Sequence, residues 1–160
     1  MSPEELQAFA DNYTADNFDT ISFQWQGGYG ADFKDKNYEF RMLLCEYLSP
    51  QLQSTKLELI RDLYLEMGKT SEYTFGCYNK FHLFGQELLE RGGTAYLTAY
   101  LQGAAHTMDT ALQSGRVKLS KERAKELLAC FYTRAAHPEN EEEAKLYGDY
   151  FRLRFEYLAK

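Results

Sequence analysis

The stretch SKERAKELLACFYTRA, Ser120 to Ala135, has the clearest helical pattern in the chain. Apolar and small side chains recur in it at spacings of three and four residues, which places them on one face of a helix. These side chains are Ala124, Leu127, Leu128, Phe131, Tyr132 and Ala135. Ser120 precedes the first turn, where a serine hydroxyl accepts a hydrogen bond from a free backbone amide. The stretch therefore predicts a helix with a buried face, and Leu128 is predicted to belong to the core.

Similar periodic patterns lie on both sides of this stretch. They predict further helices at about residues 2–12, 36–48, 50–68, 71–91, 94–114 and 138–158. The connections between these segments are short, which favours neighbouring helices that run antiparallel. The sequence thus predicts an all-α fold, a single-domain bundle or α-α spiral of six to seven helices over residues 1–160.

The segment from about 13 to 35, called the N-terminal arm below, lacks the helical period. Within it, Ile21, Phe23 and Trp25 alternate with polar residues before Gly27-Gly28, a pattern typical of a strand that enters a turn. The return strand has a weaker pattern. We therefore expect an irregular arm that has room for a short hairpin.

The last predicted helix is apolar over most of its circumference. Its apolar side chains are Leu146, Tyr147, Tyr150, Phe151, Leu153, Phe155, Tyr157 and Leu158. Such a helix lies at the centre of a bundle or is covered by a partner, so a homo-oligomer through residues 144–158 is one expectation. Arg154 is the lone charge on the apolar side. Because an unpaired guanidinium there would be costly, we expect an acid from another helix to pair with it.

Charge is distributed unevenly along the chain. Residues 1–35 contain seven acidic side chains and one basic side chain, so they hold the whole net charge of −6. An acidic field repels nucleic acid and anionic lipid and attracts a basic partner, chiefly by raising the association rate. The five bases between Arg116 and Lys125 are the best candidates for phosphate binding. However, no aromatic residue lies among them, and bases at the solvated start of a helix are a sufficient interpretation of this segment. We expect neither a nucleic-acid nor a membrane partner.

Two further expectations concern location and thiol chemistry. The chain has no apolar run long enough to span a membrane, and its first residues lack the pattern of a secretion signal, so a cytoplasmic location is expected. Cys45, Cys77 and Cys130 are widely separated, and neither a disulfide framework nor a zinc site is predicted.

The residue types that most often perform catalysis form no recognisable motif. His82, His106 and His137 lie in different segments, without a nucleophile motif or a phosphate-binding loop. None of them follows a glutamate by three residues, the spacing that di-iron helical bundles use. The sequence therefore predicts no enzyme activity, no cofactor and no metal site. The alternative is a helical bundle with an internal ligand or metal pocket near His82, His106 and Tyr100, a pocket in which an enzyme site is conceivable.

Aromatic side chains and acids alternate in the N-terminal arm. Tyrosine and tryptophan are favoured at recognition surfaces because they bury a large rigid area and lose little entropy. We therefore predict that the arm docks and neutralises a basic protein partner, in the manner of a bacterial toxin-immunity protein. The predicted partner-binding residues are Asp16, Asp19, Phe23, Trp25, Tyr29, Asp32 and Asp35. The alternative is a structural arm that packs its aromatic rings over one end of the bundle.

Overall fold

Nine α-helices and one two-stranded hairpin make up the fold of the computed structural model, which describes residues 1–160. The helices are α1 (Pro3–Asp11), α2 (Tyr38–Leu48), α3 (Leu57–Thr74), α4 (Phe81–Gly92), α5 (Leu97–Ala104), α6 (Met108–Ser114), α7 (Lys121–Ala136), α8 (Glu141–Leu146) and α9 (Asp149–Leu158). The antiparallel strands are β1 (Trp25–Gly27) and β2 (Lys34–Asp35). The predictions of an all-α fold, an irregular N-terminal arm and a short hairpin are confirmed.

The helices number nine because two predicted helices are each divided in two. The first of these helices is interrupted between α5 and α6. There Thr107 adopts an extended backbone, and its hydroxyl accepts a hydrogen bond from the Thr110 backbone amide at 3.1 Å. The second, the last predicted helix, is interrupted at Tyr147 and Gly148, between α8 and α9. The apolar period continues through both breaks, so periodicity alone predicts fewer and longer helices.

The boundary between α3 and α4 also differs from the prediction. The sequence pattern ends one helix at Gly68 and starts the next over 71–91, but α3 continues through Gly68 to Thr74 and α4 begins only at Phe81. A Cβ at Gly68 would lie 2.6 Å from the ring of His106. This glycine therefore permits close packing inside a helix, and it does not terminate one.

α3 packs against α4 and α5 in the interior of the bundle. Tyr64 of α3 is fully buried and stacks on Phe81, with ring centroids 4.3 Å apart. Its hydroxyl donates a hydrogen bond to the carbonyl of Tyr100 at 2.9 Å. One continuous cluster of buried apolar side chains extends from Leu6 in α1 to Phe155 in α9. None of the nine helices combines the length and apolarity needed to cross a bilayer.

The buried face of α7 is narrower than the sequence predicts. Leu127 and Phe131 are fully buried, Leu128 is only partly buried, and Tyr132 and Ala135 are exposed. α7 packs against α9 and against the 3-10 turn between α4 and α5. Because Tyr132 and Ala135 face solvent, the fully buried face of α7 is limited to Ala124, Leu127 and Phe131, with Leu128 at its edge.

α9 has one face in the core and one face at the surface. Phe151 and Phe155 point inward, whereas Tyr150, Leu153 and Tyr157 are exposed. Arg154 forms no ion pair and no hydrogen bond, and its guanidinium lies 5.5 Å from the centre of the Tyr157 ring. The prediction that an acid from another helix pairs with Arg154 is therefore wrong, because no helix of the bundle brings a carboxylate to this face.

Candidate protein-binding site

A buried ion pair anchors the hairpin of the N-terminal arm. The guanidinium of Arg41 in α2 contacts the carboxylate of Asp35 in β2, and both side chains are 0% exposed. Arg41 also donates hydrogen bonds to the Ile21 carbonyl at 3.1 Å and to the Thr70 hydroxyl at 2.6 Å. The Asp35 carboxylate accepts a further bond from the Gln24 amide at 2.9 Å. This pair therefore joins the arm to α2 and α3.

The position of Asp35 corrects one predicted partner-binding residue. Its buried carboxylate is unavailable to a partner, because Arg41 lies on the inward face of α2 and requires a counter-charge there. A second buried acid, Glu66 of α3, also holds the arm by accepting a hydrogen bond from the Phe23 amide at 2.6 Å. These two acids serve the attachment of the arm.

Four aromatic rings form a contiguous surface at the outer end of the arm. The rings of Tyr29 and Tyr73 stack with centroids 5.5 Å apart and 9° between their planes. Trp25 lies 5.1 Å from Tyr73, and Phe75 lies 6.2 Å from Tyr29. Trp25 is 42% exposed, Tyr29 53% and Phe75 73%. We call Trp25, Tyr29, Tyr73 and Phe75 the aromatic surface.

Beneath the aromatic surface, the partly buried ring of Phe23 lies 5.0 Å from Tyr73 and 6.3 Å from Phe33. Phe33 in turn meets Tyr38 of α2 edge to face, with centroids 5.3 Å apart. Phe23, a predicted binding residue, is thus positioned to support the exposed rings from below. The arm both packs on the bundle and presents aromatic rings to solvent.

The turn of the hairpin depends on a glycine. Gly28 has φ +76°, and a Cβ at this position would lie 1.9 Å from the backbone oxygen of Asp32. The Gly28 carbonyl accepts the indole N–H of Trp25 at 2.8 Å, so the turn also fixes the orientation of the tryptophan ring. Because that N–H already has an acceptor, Trp25 presents an apolar ring face.

Phe75 has an unusual backbone conformation. It follows the last residue of α3 with φ +57° and is the one non-glycine residue with positive φ in the chain. This conformation costs about 1–2 kcal/mol for an L-residue, and such strain tends to persist at functional sites. Sequence reasoning missed both Tyr73 and Phe75. The sequence feature that could have indicated them is a pair of aromatic residues two positions apart, directly before Gly76.

The other predicted acids of the arm are exposed. Asp16 and Asp19 lie on the 3-10 turn Ala15–Thr20, and Asp32 lies in the turn between the two strands. None of their carboxylates forms an ion pair or a hydrogen bond within the chain. All three therefore add negative charge to the arm that no group of the protein neutralises.

His106 and Tyr100, two residues of the alternative pocket, line different clefts. His106 lines a surface cleft of about 450 Å³, where its Nδ1 lies 2.6 Å from a carboxylate oxygen of Glu72, while His82 and Tyr100 line no part of this cleft. Burial and the nearby charge of Arg116 lower the pKa of His82. No group of three or more His, Cys, Asp or Glu residues is arranged to hold a metal ion. No hydrogen bond joins a histidine to a serine or cysteine side chain.

Comparison with known proteins found no relative, since no family model, no curated protein and no solved structure matches the chain. Functional inference therefore depends on the surfaces of the molecule. The aromatic surface and the free acids of the arm include most of the binding residues that the sequence predicts, and Tyr73 and Phe75 are added to them by the structure.

Gly28→Ala is expected to displace Trp25 from the aromatic surface, because the new Cβ would overlap the Asp32 carbonyl. Trp25 is the only tryptophan, so its fluorescence reports directly on the arm. We expect a red-shifted emission maximum and a loss of stability of about 1 kcal/mol or more. Gly76→Ala is the matched control, since no atom lies within 4 Å of a Cβ there. Unchanged emission in Gly28→Ala would contradict the described turn.

Proposed function

We propose that this chain is a non-enzymatic binding protein that docks a basic protein partner on its aromatic surface and neutralises it, in the manner of a bacterial toxin-immunity protein. The observation that carries this proposal is the contiguous exposure of Trp25 and Tyr29 of the arm with Phe75 at the end of α3, together with carboxylates of the arm that lack counter-ions. A contiguous exposed apolar patch is typical of a protein–protein contact, and free charge on the same arm favours a partner of opposite charge.

The rings and acids fit a partner that is rich in arginine or lysine. A guanidinium or ammonium group is attracted to the face of an aromatic ring, most strongly to tryptophan. The face of Trp25 is available for such a contact, and the hydroxyls of Tyr29 and Tyr73 form no hydrogen bonds within the chain. These hydroxyls supply acceptors at the rim of the aromatic surface, so the same patch can stack on a cation and hydrogen-bond to it.

The free acids are expected to act mainly before contact. Asp16, Asp19 and Asp32 are exposed, and charges of this kind raise the rate of encounter with an oppositely charged protein more than they stabilise the complex. The buried pair of Arg41 and Asp35 has a different role, because it fixes the arm in place beforehand. A fixed surface loses less entropy on binding than a mobile one.

The experiment first isolates a partner by affinity capture from host cells, including the products of neighbouring genes, and then measures binding kinetics with purified proteins. Trp25→Ala is expected to weaken binding by about 2 kcal/mol or more, mainly through faster dissociation, because a buried tryptophan anchor contributes this much at interfaces. Tyr132→Ala is the matched control, since Tyr132 is 45% exposed and lies on α7, outside the aromatic surface.

The charge contribution is tested separately. Asp19→Asn combined with Asp32→Asn is expected to slow association and to flatten its dependence on salt, with little change in the dissociation rate. Circular dichroism and thermal melting establish that each variant is folded. If folded Trp25→Ala binds as well as the wild type, the aromatic surface is a structural arm and the proposal fails.

A further inference from the structure

An apolar groove of about 350 Å³ lies between α6 and α9. Ala111 of α6 and Gly115, directly after α6, line it on one side, and Tyr150 and Leu153 of α9 line it on the other. The buried ring of Tyr100 from α5 contributes to it as well. We call it the α6–α9 groove. Its volume falls in the range of about 300–1,000 Å³ that is usual for small-molecule sites, which are mostly apolar with a few polar groups that orient the ligand.

Arg154 is the only charged residue that lines the α6–α9 groove. Its Nε is buried and has no hydrogen-bond partner, and the guanidinium forms no ion pair. The guanidinium lies over the Tyr157 ring, with 5.5 Å between its central carbon and the ring centre. A buried donor such as this Nε–H that lacks an acceptor costs free energy, and each such group in a native structure requires an explanation.

The one buried hydroxyl at this site is satisfied, and the hydroxyls of Tyr150 and Tyr157 belong to side chains that are exposed to solvent. The hydroxyl of Tyr100 donates a hydrogen bond to the Ser114 carbonyl at 2.8 Å, so it requires nothing from a ligand. A cation would be repelled by Arg154, and an uncharged apolar ligand would leave the guanidinium unpaired. A carboxylate, in contrast, matches the planar arrangement of guanidinium donors.

We propose that the α6–α9 groove binds a small apolar monocarboxylate. The carboxylate accepts hydrogen bonds from Arg154, and the apolar body lies between α6 and α9 against Ala111 and Leu153. The expectation that Arg154 requires an acidic partner is then met from outside the chain. This site is separate from the aromatic surface and does not depend on the function proposed for it.

The test is isothermal titration calorimetry of the intact chain with octanoate, and with 1-octanol, which has the same carbon chain and no charge. A titration with 3-phenylpropanoate distinguishes an aromatic body from an aliphatic one. We expect at least one of the two carboxylates to bind at a single site, and the alcohol to bind at least about tenfold more weakly than octanoate, because a hydrogen bond to a charged group contributes that much.

Arg154→Gln is expected to weaken carboxylate binding by at least about tenfold for the same reason. Arg152→Gln is the matched control, because Arg152 faces away from the groove and pairs with Asp149 and Glu156 on the same helix. Melting curves show whether the variants fold. Arg154→Lys keeps the charge but loses the planar pair of donors, so it is expected to bind with intermediate affinity and provides a second variant if Arg154→Gln does not fold.

Three results would overturn the proposal. The first is the absence of saturable binding of either carboxylate up to about 10 mM, a concentration that already corresponds to very weak affinity. The second is equal affinity for octanoate and 1-octanol, or unchanged affinity in a folded Arg154 variant. The third is a wild-type dimer in sedimentation velocity that Leu153→Glu converts to a monomer, because a second copy of the chain would then occupy the groove.

Discussion

Arg41→Met is expected to lower the free energy of unfolding by about 3–5 kcal/mol, the usual cost of removing one partner from a buried ion pair. Methionine keeps much of the volume of the side chain, so the loss does not come mainly from a cavity. It comes from Asp35, whose carboxylate would stay buried without a counter-charge. The hydrogen bonds from Arg41 to Ile21 and Thr70 would be lost as well.

Urea unfolding followed by far-UV circular dichroism measures the global loss, and Trp25 fluorescence follows the arm in the same samples. We expect the Trp25 signal of Arg41→Met to change at lower urea than the helical signal, because Arg41 joins the arm to α2 and α3. Arg41→Met combined with Asp35→Asn is expected to recover part of the stability, since the uncompensated charge is then absent.

Lys80→Met provides the control for this experiment. Lys80 pairs with Glu46, but both side chains are substantially exposed, and such pairs contribute at most about 1 kcal/mol. A loss below about 1 kcal/mol in Arg41→Met, or a double variant that is less stable than the single one, would contradict the role assigned to the buried pair.

The buried pair also shows why sequence reasoning wrongly grouped Asp35 with the exposed acids of the arm. On the sequence, Asp35 resembles Asp16, Asp19 and Asp32, because all four lie in an acidic arm without helical period. What distinguishes Asp35 is its pairing with Arg41, whose position depends on how α2 is rotated about its own axis. That rotation is determined by tertiary packing and not by the local sequence.

The pattern of α2 nevertheless contained a signal. Arg41 precedes Leu44, Cys45 and Leu48 by three, four and seven residues, and these four residues form the buried face of the helix. Leu43 is apolar as well, but it lies off this face and is 45% exposed. A charged residue at helical spacing from three apolar ones therefore merits a search for its counter-charge.

The fold class was predictable because it depends on local periodicity, whereas the aromatic surface was only half predictable. Trp25 and Tyr29 stand out in the arm, but their stacking partners Tyr73 and Phe75 come from the end of α3, more than 40 residues later. No local pattern indicates which helix end the arm contacts. The exposure of these rings follows from a non-local packing arrangement that the sequence does not display.

Leu127→Ala is expected to lower the free energy of unfolding by about 2–5 kcal/mol, as for other leucines that are fully buried in a packed core. Leu127 is 0% exposed and belongs to the continuous core cluster, and its helix α7 packs against α9. Leu128→Ala is expected to cost clearly less, since Leu128 is only partly buried. Urea unfolding of the two variants under identical conditions makes the comparison.

The two leucines test the rotation of α7, because they are adjacent in sequence and chemically identical. On sequence grounds both leucines belong to the apolar face. Leu128 stands four residues after Ala124 and seven before Ala135, and both spacings fit one face of a helix. Leu127, in contrast, stands three after Ala124 and four before Phe131, and all three are fully buried. Equal losses for the two variants, or a larger loss for Leu128→Ala, would mean that α7 is turned toward Leu128 and that its buried stripe is wider than the structure describes.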